Sequence, residues 1–149
     1  MDGGTFAPVA RFAAAAAAGL LLVDLFLDWQ RAAVRVAGVV EVEATAAGWH
    51  GWGFLAGVLA LALMAVLLTA GGRSTVSAAV ALGMLAATTV AVVTSEPDVA
   101  GGPAASVEES TVWPAWLGLV LAAVAFVATL VPLLTHPETP QAGAPTSAV

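Results

Sequence analysis

Residues 52–94 read WGFLAGVLALALMAVLLTA-GGRS-TVSAAVALGMLAATTVAVVT, and this stretch decides the fold. Its two apolar runs, 52–70 and 75–94, contain no charged residue. Each has the length of about 20 residues at which a helix crosses a hydrocarbon layer of ~30 Å. A helix is favoured there because it satisfies its own backbone polar groups where no water can. Between the runs, Gly71 to Ser74 leave room only for a tight turn, so the two helices form an antiparallel pair. Ser74 is placed to cap the second helix.

Two further runs lie outward of this pair: 8–28, PVARFAAAAAAGLLLVDLFLD, and 113–134, WPAWLGLVLAAVAFVATLVPLL. Pro8 and Pro114 suit a first helical turn. Pro132 and Pro137 fit the stop of the last helix. Composition points the same way: 60% of residues are hydrophobic, 9% are charged and the mean hydropathy is +0.98. A water-soluble domain carries about 25% charged residues. The expected fold is an all-α membrane protein, a four-transmembrane-helix antiparallel bundle with a short β-hairpin in its first outer loop. Residues 1–135 form one domain with helices at about 8–28, 52–70, 75–94 and 113–134. The Pro-, Ala- and Thr-rich tail, 136–149, is expected to be disordered. Arg11 followed by an apolar run resembles a secretion signal. The run continues into LFLDWQR without an A-x-A cleavage site, so it is kept as a helix.

In this arrangement all five tryptophans fall on one side. Trp29 closes the first run, Trp49 and Trp52 open the second, and Trp113 and Trp116 open the fourth. A ring that is apolar but carries an N–H settles at the headgroup level, so these residues read as a one-sided aromatic belt. Both longer connections, 29–51 and 95–112, emerge on the same side. Asp28, Glu41, Glu43, Glu96, Asp98, Glu108 and Glu109 there oppose only Arg31 and Arg35. The tryptophan face is therefore also the acidic face. Arg11 and Arg73 on the other side tie the positive-inside count. The shortness of the Arg73 loop favours both termini in the cytoplasm.

Residues 32–45, AAVRVAGVVEVEAT, alternate in the manner of a strand. A turn at Ala37-Gly38-Val39 sets Val36 against Val40, Arg35 against Glu41 and Val34 against Val42, with the valines on one face. The competing reading extends the first helix, since Asp28, Arg31 and Arg35 also have i,i+3 and i,i+4 spacing.

Asp24 is the one ionisable residue inside an apolar run. It lies five positions before Trp29, about 7.5 Å along a helix. At the same depth the other helices offer Gly57, Thr88 or Thr89, and Gly118. Carboxylates at membrane depth face the bundle interior or a cavity. Asp24 is thus a candidate proton- or cation-binding carboxylate with Thr88 and Thr89 as partners; the alternative is a structural aspartate bonded to those hydroxyls or reaching towards Arg31. In GWHGWG, Gly48 to Gly53, the glycines permit tight backbone at a helix entrance and His50 sits among the belt residues. One histidine is not a metal site, although Glu41, Glu43, Glu108 and Glu109 lie in the same connections. Gly53-x-x-x-Gly57 and the stripe Ala79, Gly83, Ala87, Ala91 are faces for close helix packing, within the chain by default.

Cysteine is absent, which removes disulfides and Cys–zinc sites. Lysine is absent too, and the alanine excess suggests a GC-rich prokaryotic genome. The net charge of −6 with four scattered arginines and no basic patch does not suggest nucleic acid, and none is expected as a partner. No nucleophile–base pair, P-loop, HExxH or dinucleotide fingerprint appears. An enzyme is not expected, nor a cofactor or metal.

Leu25-Phe26-Leu27-Asp28-Trp29, followed across a valine-rich loop by Gly48-Trp49 and Gly51-Trp52-Gly53-Phe54, resembles a pattern of small four-helix actinobacterial membrane proteins. There LFLxW ends the first helix and a GW segment starts the second. The resemblance covers about a third of the chain and implies a four-helix inner-membrane protein without an assigned activity. A looser similarity is to claudin-like four-helix proteins, whose first outer loop carries strands and a W…GLW motif. This chain lacks that motif's two cysteines, and no function is carried over. The functional expectation is a multi-pass accessory protein of the cytoplasmic membrane. It docks a partner within a membrane complex through Trp29, Trp49, His50, Trp52, Trp113 and Trp116. The alternative is a small proton- or ion-coupled transporter or channel using Asp24.

Overall fold

The structure, a computed structural model, describes residues 6–36, 39–69, 75–94 and 105–135. In chain order these form α1 (Phe6–Asp24), β1 (Asp28–Val36), β2 (Val39–Ala47), α2 (Trp52–Thr69), α3 (Thr75–Thr94), β3 (Ala105–Thr111) and α4 (Trp113–Thr135). Three of the helices are long and apolar enough to cross a membrane: Trp52–Thr69, Thr75–Thr94 and Trp113–Leu134. The Ser74 cap, the 71–74 turn, the Ala37-Gly38 turn and the 136–149 tail lie outside the described residues.

Alanine dominates the packed faces of the helices, and many of the large apolar side chains point outward. Ala14, Ala17 and Ala18 of α1, Ala56 and Ala60 of α2, Ala81 and Ala91 of α3, and Ala115, Ala122 and Ala125 of α4 are buried. Leu21, Leu25, Leu63, Leu67 and Met84 fill the gaps between them. Phe12, Leu20, Leu61, Leu68, Leu82, Val93, Val120 and Leu134 are exposed. A water-soluble bundle shows the reverse. Small residues let helix backbones approach closely where dispersion rather than water exclusion drives association, and the large apolar ones suit lipid contact. On α3 the expected small-residue stripe leaves the packed face only at Ala79, which is exposed: Ala87 and Ala91 are buried, and Gly83 is half-buried, where a Cβ would stand 3.5 Å from Leu59 of α2.

The first helix ends four residues earlier than the apolar run suggests. The amide of Leu27 donates to the carbonyl of Asp24 at 2.9 Å and that of Phe26 to Val23 at 3.1 Å, a tightened last turn. From Asp28 the chain is extended. Asp28, Arg31 and Arg35 therefore lie on β1 and not on a prolonged helix.

β1 is the centre of a three-stranded antiparallel sheet of order β2-β1-β3. The β1–β2 hairpin keeps the expected Val34↔Val42 pair but not the rest of the register. Arg35 stands opposite Val40 and Val36 opposite Val39, with a shift between Val34 and Arg35. Val39, expected in the turn, thus belongs to β2, and Glu41 falls in the irregularity rather than opposite Arg35. β3 was not expected. Its sequence, ASVEEST, has too few large or branched residues to read as a strand. It pairs with the free side of β1 from Gln30↔Thr111 to Val36↔Ala105. Both long connections consequently meet in one sheet at one end of the bundle, where α1 and α3 finish and α2 and α4 begin.

Candidate functional site

The sheet is fastened to the helices through β1. Gln30, Ala32 and Val34 alternate inward and are buried, while Arg31 and Arg35 point outward. Trp29, 0% exposed, is the largest fully buried side chain. Its indole N–H donates to the backbone carbonyl of Asp24 at 3.1 Å, bridging the bend between α1 and β1. The ring is seated on glycines. A Cβ at Gly118 of α4 would stand 2.6 Å from Trp29 Cζ2, and a Cβ at Gly48 would run into the same ring. Trp29 is therefore a core residue and leaves the belt in which its sequence position placed it. A ring this large with a satisfied N–H is as well housed in a core as at an interface.

The other glycines of GWHGWG have equally local reasons. Gly51 adopts a φ of +57°, a left-handed conformation that side chains disfavour. A side chain at Gly53 would strike the Gly48 carbonyl, and one at Gly57 would meet Trp49 and Leu25. The Gly53/Gly57 pair thus admits the Trp49 ring, the Gly48 backbone and Leu25 at the end of α1.

Asp24, 2% exposed, closes α1 with its carboxylate against α4: Oδ2 would lie 2.7 Å from a Cβ at Gly118. Of the small residues expected at its depth, Gly118 is the one shown beside the carboxylate. The threonines are not its partners. Thr88 donates to the Met84 carbonyl and Thr89 to the Leu85 carbonyl, both at 2.8 Å along their own helix, and Thr89 is exposed. This back-bonding is the usual outlet for a hydroxyl in an apolar helix. Both carboxylate oxygens of Asp24 are buried without a hydrogen-bond partner, alone in this respect among the described residues.

Gln30 is the functional-site neighbour that sequence reasoning missed. Its Nε2 donates to the Val92 carbonyl on α3 at 3.2 Å, and Thr111 Oγ1 makes a long 3.5 Å bond to its Oε1. One amide thereby joins β1, α3 and β3. The signal was available: Gln30 shares the phase of Ala32 and Val34, and a polar residue in a buried phase implies a partner.

Around this core the remaining rings form a partial girdle. Trp52, Trp113 and Trp116 are exposed. Trp49 is half-buried, stacked on Phe26 at 5.3 Å and edge-on to Phe54 at 5.6 Å. His50 is exposed, its Nδ1 lying 3.1 Å from the Ala47 carbonyl. Among the described residues no three of His, Asp and Glu gather closely enough to hold a metal ion. The outward face of the sheet carries a row, Glu43–Ala33–Glu108, flanked by Arg31 and Arg35. Arg35 bonds Glu108 of β3 at 3.2 Å. At the opposite end of the bundle, an apolar groove of about 490 Å³ runs between Val9 of α1 and Val120, Val124, Val127 and Val131 of α4. Its lining is entirely aliphatic and offers no polar group to orient a ligand.

Searches against protein families, curated proteins and solved structures returned no match to this chain.

Proposed function

We propose that this chain is a non-enzymatic, membrane-integral accessory protein whose sheet-bearing end docks a partner. The observation that carries the reading is the sheet itself. Strands from two separate connections converge on β1, which Trp29 and Gln30 pin to the helices. An interaction site gains affinity when it is rigid before binding, because less ordering remains to be done. The exposed Trp52, Trp113 and Trp116 beside it suit the headgroup level, which sets the sheet just outside the bilayer.

In this reading α1 is a fourth span. Arg11 near its start donates to the Leu68 carbonyl at 3.0 Å, level with the last turn of α2. Asp24 at its end lies beside Gly118, within the opening turns of α4. α1 thus runs the height of its neighbours, with Arg11 reaching the interface at one end. We further propose the cytoplasmic membrane, with both termini inside.

The test is extraction from native membranes in gentle detergent, followed by identification of co-purifying proteins. A stoichiometric membrane partner is the expected result. A clean monomer in every mild detergent would sink the proposal.

A specific observation favours a second reading, proton or ion coupling at Asp24: both its oxygens are buried and unbonded. Reconstitution in liposomes with an imposed ion or pH gradient separates the two. Flux that Asp24→Asn abolishes, with partner binding intact, would favour coupling. No flux from the unmodified protein would exclude it.

A further inference from the structure

Both arginines of the sheet, Arg31 and Arg35, lie on the central strand β1, whereas the outer strands carry only acids: Glu41 and Glu43 on β2, Glu108 and Glu109 on β3. Charge across the sheet runs negative, positive, negative. Pairing free edges from two copies would set acids against acids, which is unfavourable between neighbouring strands. A strand that continued the alternation would be basic.

The two edges differ. Glu108 is already bonded to Arg35. Glu43, in line with Ala33 and Glu108 on the outward face, is exposed and makes no ion pair among the described residues. From Val42 to Ala46, β2 keeps an unbroken register with β1. An edge strand presents unpaired N–H and C=O groups on its open side, and Lys, Pro or bulges are the usual means of blocking it. This stretch, VEATA, has neither Lys nor Pro and no break in its register, and its one charged residue is Glu43.

We propose that β2 accepts an extended segment of a partner protein as a fourth strand, with Lys or Arg at alternate positions and one cation beside Glu43. Main-chain bonds supply the affinity in such strand addition, and side chains supply the selectivity. The inference rests on the docking function proposed above and assigns its surface.

The test uses the full chain in phosphatidylcholine nanodiscs and two octapeptide probes, one alternating lysine and threonine, the other glutamate and threonine. The lysine peptide is expected to bind and the glutamate peptide not. Binding should slow amide hydrogen exchange across Val42–Ala46. Glu43→Lys should weaken binding roughly ten-fold or more, as loss of a close charge pair does. Glu109→Lys, the same charge change on the opposite edge, should cost roughly two-fold through screened attraction alone. Glu43→Gln should fall between them, and guards against misfolding of the lysine variant. Equal losses at Glu43 and Glu109, binding without new protection in β2, or no binding of the lysine peptide would each overturn the inference. If a membrane partner still co-purifies in that case, docking stands and its surface lies elsewhere.

Discussion

Gly118→Ala probes the seat of Trp29 and Asp24 with a single methyl group. Built on the backbone, the new Cβ lies 2.6 and 3.0 Å from two atoms of the Trp29 ring and 2.7 Å from Asp24 Oδ2. Comfortable contacts between carbon atoms start at about 3.5 Å, so the ring must give way by most of an ångström. Trp29 is 0% exposed and held by its bond to the Asp24 carbonyl, so it has nowhere to go. Inserting a methyl group into such a site costs about 1–3 kcal/mol. Opposing this, alanine improves a helix interior over glycine by roughly 1 kcal/mol. Gly19→Ala supplies that second contribution alone, since nothing stands within 4 Å of its Cβ. The difference between the two variants isolates the steric cost. Equilibrium unfolding in mixed micelles, followed by far-ultraviolet circular dichroism, should place Gly118→Ala about 1–3 kcal/mol below Gly19→Ala. Trp29→Leu should remove the part of that gap due to the ring in a double-mutant cycle, leaving the part due to Asp24 Oδ2. If the two glycine variants were equally stable, Trp29 would not be seated on Gly118.

Four further outcomes are expected. Gln30→Leu leaves the Val92 carbonyl without its donor and should cost about 1–3 kcal/mol, with hydrogen exchange accelerating across β3. Gly51→Ala should cost about 1–2 kcal/mol for its left-handed φ, and Gly51→Asn clearly less, by the same unfolding measurement. Asp24→Asn replaces an unbonded buried carboxylate by a neutral isostere; unfolding should show equal or greater stability, and a marked loss would point to an ionic partner. Arg35→Ala removes an exposed ion pair and should change stability by less than about 1 kcal/mol, with the difference vanishing at high salt.

The helices were legible because each apolar run is long and broken sharply. For α2, α3 and α4, the Gly-Gly-Arg-Ser turn and Trp113-Pro114 mark boundaries that agree with the structure to within a residue. α1 was overextended because Leu25, Phe26 and Leu27 continue its apolar character. The helix instead closes in a tightened turn at Asp24, whose carbonyl accepts from the Leu27 amide and the Trp29 indole, and apolar periodicity does not register such a turn. The hairpin was legible from its valines, but its register was not, because a bulge moves Glu41 out of the alternation that the reading assumed. β3 was illegible for a different reason. Its pairing comes from the far side of β1, a strand distant in sequence, and nothing in Ser-Val-Glu-Glu-Ser-Thr announces a partner. In the candidate site, Asp24's burial and Gly118's nearness followed from depth counting. The threonines failed because their hydroxyls serve their own helix, and Trp29 failed because one ring can serve either a belt or a core.

The position of β1 between β2 and β3 has a consequence for how the protein is made. β2 follows β1 directly from the ribosome, but β3 emerges only after α2 and α3 have been synthesised, an interval of several seconds at roughly 5–20 residues per second. Throughout it, β1 presents an open edge bearing Arg31 and Arg35, and the Val92 carbonyl that will hold Gln30 is made only near its end. The sheet can close only once α2 and α3 have brought the chain back to the free side of β1. A chain arrested before β3 would carry the β1–β2 hairpin with one edge of β1 unpaired.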